Sequence, residues 1–306
     1  MTKSVAIIIP CFNCSTTLAR AINSIINQSV HVDEIVVVDD CSSDSEKIEG
    51  ICNLYDSVNY IKNKKNLGLA GSRNIGIWNV NSDIVAFLDA DDQYHKNKVE
   101  MQLRYLHKEN VVSTDVKNIG TKSLADINVK LNDNPSIKIF KSPYQNLFFN
   151  RLVGSSLMAY TSTLKVVNGY DSDLRSVEDF DLWIRLLNGG TKVISIKSPL
   201  YLYYDTEGSL SKNSIAIWDN IVVVIKKFIS YRPLHLGWPI EQFIWMVLLS
   251  KELTRAEALN NKDLKNQLLL DIPKLISNKG VAILLKNLAK FKLFKILSLF
   301  TFKVGL

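Results

Sequence analysis

The 306-residue chain has few of the residues that build metal clusters and disulfide frameworks, with four cysteines and four histidines. Cys11, Cys14, Cys41 and Cys52 all lie near the N-terminus. The rest of a sizeable chain therefore has no candidate bridge, which excludes a secreted disulfide scaffold and fits a reducing compartment. The Cys11-x-x-Cys14 spacing suggests a zinc or redox site. Cys41 and Cys52 do not repeat it, however, and no histidine cluster accompanies them, so all four are expected to be small buried residues.

Long hydrophobic runs are also missing. No segment reaches the roughly 20 apolar residues needed to cross a bilayer. The opening run, Val5 to Ile9, is too short for a secretion leader and is closed by Pro10, so a strand and a cytoplasmic protein are expected. Acidic residues disappear after Asp271, where Lys274, Lys279, Lys286, Lys290, Lys292, Lys295 and Lys303 equal the whole net charge of +7. The body is thus near neutral and carries no nucleic-acid-binding motif, so nucleic acid is not expected as a partner.

Apolar runs alternating with amphipathic stretches fill the first half. Strands are expected at 5–10, 34–40, 58–63 and 83–90, with helices at 15–28, 44–54 and 69–80 between them. Runs apolar throughout indicate strands buried on both faces, hence a mostly parallel sheet flanked by helices. A helix at 96–108, a strand at 111–114, a polar excursion at 118–138, a strand at 154–160, a helix at 178–188 and one or two strands at 192–204 complete this part. From about residue 212 the pattern becomes helical, with helices expected at 214–230, 240–260 and 281–303, and no internal repeat occurs.

In an open parallel sheet the ligand lies beyond the carboxyl ends of the strands. Those tips carry Pro10-Cys-Phe-Asn13, Asp39-Asp40 and Asp89-Ala-Asp91-Asp92. Like charges this close disfavour one another's ionisation unless a cation sits among them. Asp91, with Asp89 or Asp92, suits Mg²⁺ or Mn²⁺, which accept hard oxygen ligands and leave positions for a diphosphate. Asp39 can accept hydrogen bonds from a base or ribose, and Arg73 can grip phosphate oxygens. Taken singly, each has a plainer reading as a helix cap or a solvated face.

In order and spacing, the segments "IIIPCFNCSTTLARAINSIINQS", "EIVVVDDCSSDS", "NLGLAGSRNIGI", "VAFLDADD" and "SVEDFDLWIRLL" resemble the successive blocks of the family 2 glycosyltransferases, inverting enzymes of the Rossmann-like GT-A fold. The resemblance spans about residues 3–212. It implies a catalytic domain over 1–212, with nucleotide-sugar binding in about 1–115 and an acceptor part in about 140–212, followed by a helical extension over 213–306. It also implies that Pro10, Phe12 and Asn13 line the nucleotide pocket. Asp39 would bind the base, with Asp40 and Asp44 shaping its surroundings, and Arg73 would lie near ribose or diphosphate, approached closely through Gly68 and Gly71. Asp89 would face the ribose and Asp91 the metal. Asp179 would be the general base, supported by Glu178.

The last block departs from the family pattern. "YYDTEGSLSKN" puts Tyr204 where an arginine is usual and Thr206 where a histidine is usual, leaving water or Asp205 as substitute ligands and Lys212 as a substitute charge. The basic segment 281–303 suits an anionic membrane surface, so a peripheral position on the inner face of the plasma membrane is expected. The resemblance implies transfer from a nucleotide sugar, UDP-linked, to a glycan or undecaprenyl-diphosphate-linked acceptor in surface polysaccharide synthesis. Two other functions compete: a nucleotide-sugar-binding protein that has lost catalysis, and a sugar nucleotidyltransferase. The second would need a glycine-rich basic loop after the first strand, which "PCFNCSTT" lacks.

Overall fold

The computed structural model describes residues 3–120, 134–149, 152–205, 213–230 and 238–277, together with 279, 282–283 and 285–286. The chain divides into two compact units, residues 1–146 with 151–209, and 147–150 with 210–306. Most of the basic segment 281–303, and Thr206 and Lys212, lie outside the described residues.

The first unit is built on one sheet, of nine strands among the described residues, ordered β3-β2-β1-β4-β8-β6-β9-β5 with β7 also on β9. The strands are β1 (Val5–Cys11), β2 (Glu34–Asp39), β3 (Val58–Lys62), β4 (Ile84–Phe87), β5 (Gln93–Tyr94), β6 (Asn110–Asn118), β7 (Ile137–Phe140), β8 (Met158–Tyr160) and β9 (Lys192–Tyr203). β3, β2, β1 and β4 run parallel. β8 enters antiparallel beside β4 and β6, and β6 pairs parallel with β9, so the sheet is mixed. The segment 192–204, expected as one or two strands, is a single long strand.

Side chains alternate across each strand, and both faces of the central strands β1, β2 and β4 are buried. Ile7, Ile9, Ile35, Val37, Ile84 and Ala86 join one core with α1 (Leu18–Ile26) and α2 (Ser45–Cys52). Ala6, Ile8, Val36, Val38, Val85 and Phe87 join the other with α3 (Gly68–Asn79) and α7 (Glu178–Asn188). Pro10 is tolerated in this central strand because pairing with β4 has already ended at Ile8, two residues earlier. α4 (Lys98–Tyr105), α5 (Pro143–Phe149) and α6 (Thr161–Val166) complete the helices up to β9, the last two unanticipated.

Two local features differ from expectation. Residues 154–156, expected to begin a strand, form a 3-10 turn ahead of β8. Cys11 and Cys14, expected as unpaired buried thiols, are joined in a disulfide. A turn with Asn13 in the left-handed region, φ 52°, brings their Cα atoms to 5.8 Å, within bridging range.

The second unit contains α8 (Ser214–Ser230), α9 (Trp238–Ala258) and α10 (Lys262–Leu275). The indole of Trp218 in α8 donates to Asp271 in α10 at 3.0 Å. No helix among the described residues is long and apolar enough to cross a membrane.

Gly76 lets α3 lie directly on β1, because a Cβ there would come within 2.4 Å of Ile8 Cγ2. Overpacking of this kind costs about 1–3 kcal/mol, so Gly76→Ala is expected to lower unfolding stability by that amount in urea titration. An unchanged midpoint would mean that α3 lifts from the strand without cost.

Candidate active site

The parallel strands place their carboxyl ends side by side, and each acid at a tip takes its direction from distant partners. Asp39, at the end of β2, has no exposed surface. Its carboxylate accepts the Ser42 N–H at 2.9 Å, the Ser45 hydroxyl at 2.5 Å and the Tyr60 hydroxyl at 2.6 Å. Burial pushes this carboxyl upward, but the three donors outweigh it and hold it below the usual carboxylate range. The side chain expected to meet the base is thus turned inward, fastening the loop after β2 to β3.

Asp40 is also buried. It accepts Asn63 Nδ2 at 2.9 Å and the N–H groups of Leu67 and Gly68 at 2.8 Å. α3 has no side-chain cap of its own, so Asp40 supplies the anion that its N-terminus requires. Asp44 receives the Ser15 N–H at 3.1 Å and ties the start of α2 to the 11–17 turn. The surface offered at this corner comes instead from Phe12, 54% exposed, and Asn13, whose side-chain carbonyl holds the Ser43 N–H at 2.9 Å.

Arg73, expected near phosphate, is 1% exposed. It donates to Glu178 Oε1 at 2.7 Å, to Asp89 Oδ1 at 2.9 Å and to the Ser155 hydroxyl at 3.2 Å, and its guanidinium lies 5.2 Å above the Tyr170 ring. Burial alone would favour loss of its proton, but the charges of Asp89 and Glu178 overcome that and keep it cationic. It works from beneath the crevice, joining α3, the β4 tip, the 154–156 turn and α7.

The acid turn after β4 is held on several sides. Asp89 gives its second oxygen to the Ser155 hydroxyl. Asp92, a conceivable ligand from sequence, is 1% exposed and accepts Tyr201 Oη at 2.7 Å and the Tyr204 N–H at 2.8 Å. Burial and the Asp89 charge push its carboxyl up to about 8. Arg20 of α1 donates to the Asp91 carbonyl and stacks 3.9 Å over the Tyr204 ring. Tyr204, standing where the family pattern has arginine, therefore braces the acid turn.

Among the described residues no group of three or more His, Cys, Asp or Glu could hold a metal. Asp89 and Asp91 are both partly exposed, Asp89 accepting hydrogen bonds at both oxygens, and Asp92 is buried. One carboxylate suits a Mg²⁺-like ion that draws its remaining ligands from phosphate and water. The donor set fits a cation arriving with a nucleotide and does not fit an all-protein cage.

Asp179 follows Glu178 at the start of α7. Its carboxylate accepts the Gly154 N–H at 3.1 Å and the Phe180 N–H at 2.7 Å. Burial raises it above the usual carboxylate range, against the opposing pull of Arg73 and these two donors. Asp89, Arg73, Glu178, Gly154, Ser155 and Asp179 thus form one connected cluster. Gly154 and Ser155 were missed from sequence, where a glycine followed by two serines ahead of an apolar run was a turn signal.

Parallel strands that end in Asp39, Asp40 and the acid turn after β4, with Asp179 tied through Gly154 to the same cluster, give the layout of an open α/β sheet, the class in which ligands lie beyond the carboxyl ends of the strands. The model of glycosyl transferase family 2 matches residues 6–163, and the chain belongs to that family. An uncharacterized glycosyltransferase of Rickettsia felis is 31% identical over 194 residues, covering 60% of this chain but 30% of its own length. The Escherichia coli UDP-Glc:alpha-D-GlcNAc-diphosphoundecaprenol beta-1,3-glucosyltransferase WfgD is 28% identical over 187 residues, 60% of this chain and 69% of that protein. Among solved structures, S. aureus TarS 1-349 in complex with UDP-GlcNAc superposes with a TM-score of 0.66 at 16% identity, covering 95% of this chain and 88% of that one, which establishes the GT-A-like fold.

Removing one partner of a buried ion pair costs about 3–5 kcal/mol, because the remaining charge has nothing to offset its lost hydration. Arg73→Met leaves Asp89 and Glu178 in that position and is expected to lose stability on this scale in chemical denaturation. A loss below about 1 kcal/mol, the scale of a surface pair, would show that the cluster is solvated.

Proposed function

We propose that the chain is an inverting glycosyltransferase that moves a sugar from a nucleotide sugar, UDP-linked, to a glycan or undecaprenyl-diphosphate-linked acceptor in surface polysaccharide synthesis. The observation that carries the reading is Asp179. A carboxyl raised by burial is held in the same hydrogen-bonded cluster as Asp89, the acid that faces the donor. The resemblance to a glucosyltransferase named for UDP-Glc and a diphosphoundecaprenol acceptor supports the donor and acceptor classes.

In this reading Phe12 offers an aromatic face to the base, with Pro10 and Asn13 shaping the turn around it. Asp39 and Asp40 act indirectly, by fixing the loops and the start of α3. Asp89 holds the ribose while Arg73 and Ser155 hold Asp89. The acceptor hydroxyl attacks the anomeric carbon from the face opposite the nucleotide. Asp179 takes the hydroxyl proton as the new carbon–oxygen bond forms and the bond to the diphosphate breaks. No covalent enzyme intermediate is required, and configuration inverts. Mg²⁺ or Mn²⁺, held by Asp91 together with diphosphate oxygens, would offset the charge on the departing nucleoside diphosphate.

A base must be ionised to act. The rate kcat/KM is therefore expected to rise with pH through the raised Asp179 value, placing the acid limb above the ordinary carboxylate value of about 4. The effect on stability has the opposite sense. A carboxyl raised on folding gives stability that is fully present below its unfolded value and is lost as the pH rises through its folded value. Asp179→Asn should therefore reduce transfer by at least about 100-fold while melting no lower than wild type at neutral pH. An active Asp179→Asn variant would remove Asp179 from the mechanism.

The same reading includes association of the basic segment 281–303 with an anionic bilayer, supported by its lysines and lack of acids. Flotation with phosphatidylglycerol vesicles should exceed that with phosphatidylcholine, fall with salt and fall again in K286E/K290E/K295E. Equal flotation in all cases would place the lysines in solvent, away from lipid.

A further inference from the structure

The 3-10 turn Gly154–Ser156 is fixed from behind by buried residues of α4 and β6. Gln102, fully buried in α4, donates to the Ser156 carbonyl at 2.8 Å and the Val112 carbonyl at 3.0 Å, and is itself held by the buried amine of Lys98 at 2.6 Å. The Ser156 hydroxyl meets Ser113 Oγ at 2.7 Å and accepts the Thr114 N–H at 3.2 Å. Both anchors are backbone or side-chain groups of α4 and β6, so the turn moves only if the sheet moves.

Two groups on the front of this turn reach opposite sides of the proposed reaction. The Ser155 hydroxyl donates to Asp89 Oδ2 and accepts from Arg73, completing the shell around the donor-side acid. The Gly154 N–H reaches Asp179 Oδ2 at 3.1 Å. A Cβ on residue 154 would lie 2.3 Å from Asp179 Cβ and 2.7 Å from its Oδ2, so glycine alone leaves room for the base where it stands.

We propose that Gly154 and Ser155 are positioning residues, a single rigid turn that sets the distance between the donor-holding Asp89 and the acceptor-side base Asp179. In this reading neither touches the substrate. Ser155 acts through Asp89, and Gly154 acts through Asp179. The inference rests on the reading of Asp179 as the base, and it assigns the two halves of the turn separable effects, one on donor affinity and one on turnover.

The test measures Mn²⁺–UDP binding by calorimetry and UDP release from UDP-glucose and UDP-N-acetylglucosamine across pH, in wild type, Ser155→Ala, Ser155→Thr, Gly154→Ala and Asp179→Asn. A hydrogen bond to a charged group is worth enough that Ser155→Ala should weaken UDP binding about tenfold, and Ser155→Thr, which keeps the hydroxyl, should restore most of it. Displacing a reacting group by about 1 Å costs on the order of 100-fold, so Gly154→Ala should lower kcat by that factor, shift the acid limb and leave UDP affinity within about twofold. If Gly154→Ala does not fold, the loss at Ser155→Ala and its rescue by threonine decide the proposal. Variants that melt earlier but keep wild-type affinity, kcat and pH profile would overturn it, and so would threonine failing to rescue. Full activity in Asp179→Asn would instead sink the base assignment, a separate outcome that the UDP-binding comparison does not depend on.

Discussion

The buried guanidinium of Arg73 is the constraint on which the site depends. A cation that is 1% exposed has lost its hydration, and Arg73 is held in the interior by partners at its two terminal nitrogens while its buried Nε has none among the described residues. Its partners come from far along the chain, Asp89 from the tip of β4, Ser155 from the turn before β8 and Glu178 from the start of α7. All three meet Arg73 together only once β4 and β8 have paired and α7 has docked. The cluster is therefore a consequence of the completed sheet, and any change that loosens the sheet reaches the acids directly. Networks of this kind are worth more than the sum of their pairs when satisfied and costly when one member is lost.

Burial raises the carboxyls of both Glu178 and Asp179, but the two meet Arg73 differently. Asp89, Glu178 and Asp179 gather around a single cation, and Arg73 makes direct bonds to the first two. Asp179 is left with two backbone N–H donors, which compensate only part of its burial, so its proton is held more tightly than usual. The segment that delivers Asp179 carries local backbone strain, because the β-branched Val177 just before α7 sits in the left-handed region at φ 56°. The raised carboxyl itself reflects a shortage of positive charge at a fixed place, set by the placement of one arginine.

The fold was readable because central parallel strands buried on both faces appear as unbroken apolar runs, as 5–11 and 34–39 do, and because the helix 178–188 keeps its apolar residues at helical spacing. The positions of the acids were readable for the same reason, since a strand tip in such a sheet faces the crevice. Their directions were not. Whether Asp39 looks outward to a base or inward to Tyr60 depends on a hydroxyl 21 residues away, and whether Arg73 meets phosphate or Glu178 depends on a helix 105 residues away. The helix α10 carried a legible signal, an Asn261 cap bonded to the Leu264 N–H at 2.9 Å with Leu264, Leu268, Ile272 and Leu275 on one face, but Pro273 interrupts it and obscures the pattern. The Cys11–Cys14 bridge depends on a left-handed Asn13, a backbone choice that composition does not reveal.

The span of the family match sharpens the significance of the 154–156 turn. The match covers residues 6–163 and therefore takes in the β1 tip, Asp39, Asp40, Arg73 and the acid turn, but it ends before Asp179. Each group proposed to meet the nucleotide lies within the matched part. The proposed base comes from the segment that follows, and in that reading it must be set to within a fraction of an ångström of the sugar. Two carboxylates on separate segments can be held in register only by something rigid that touches both. The turn does so with one hydroxyl and one backbone N–H, and its own anchors, Gln102 and Ser113, lie inside the matched span. The segment beyond residue 163 is therefore bound to the matched part at two points, Glu178 on Arg73 and Asp179 on the Gly154 N–H, so a change in either reaches the acid turn as well.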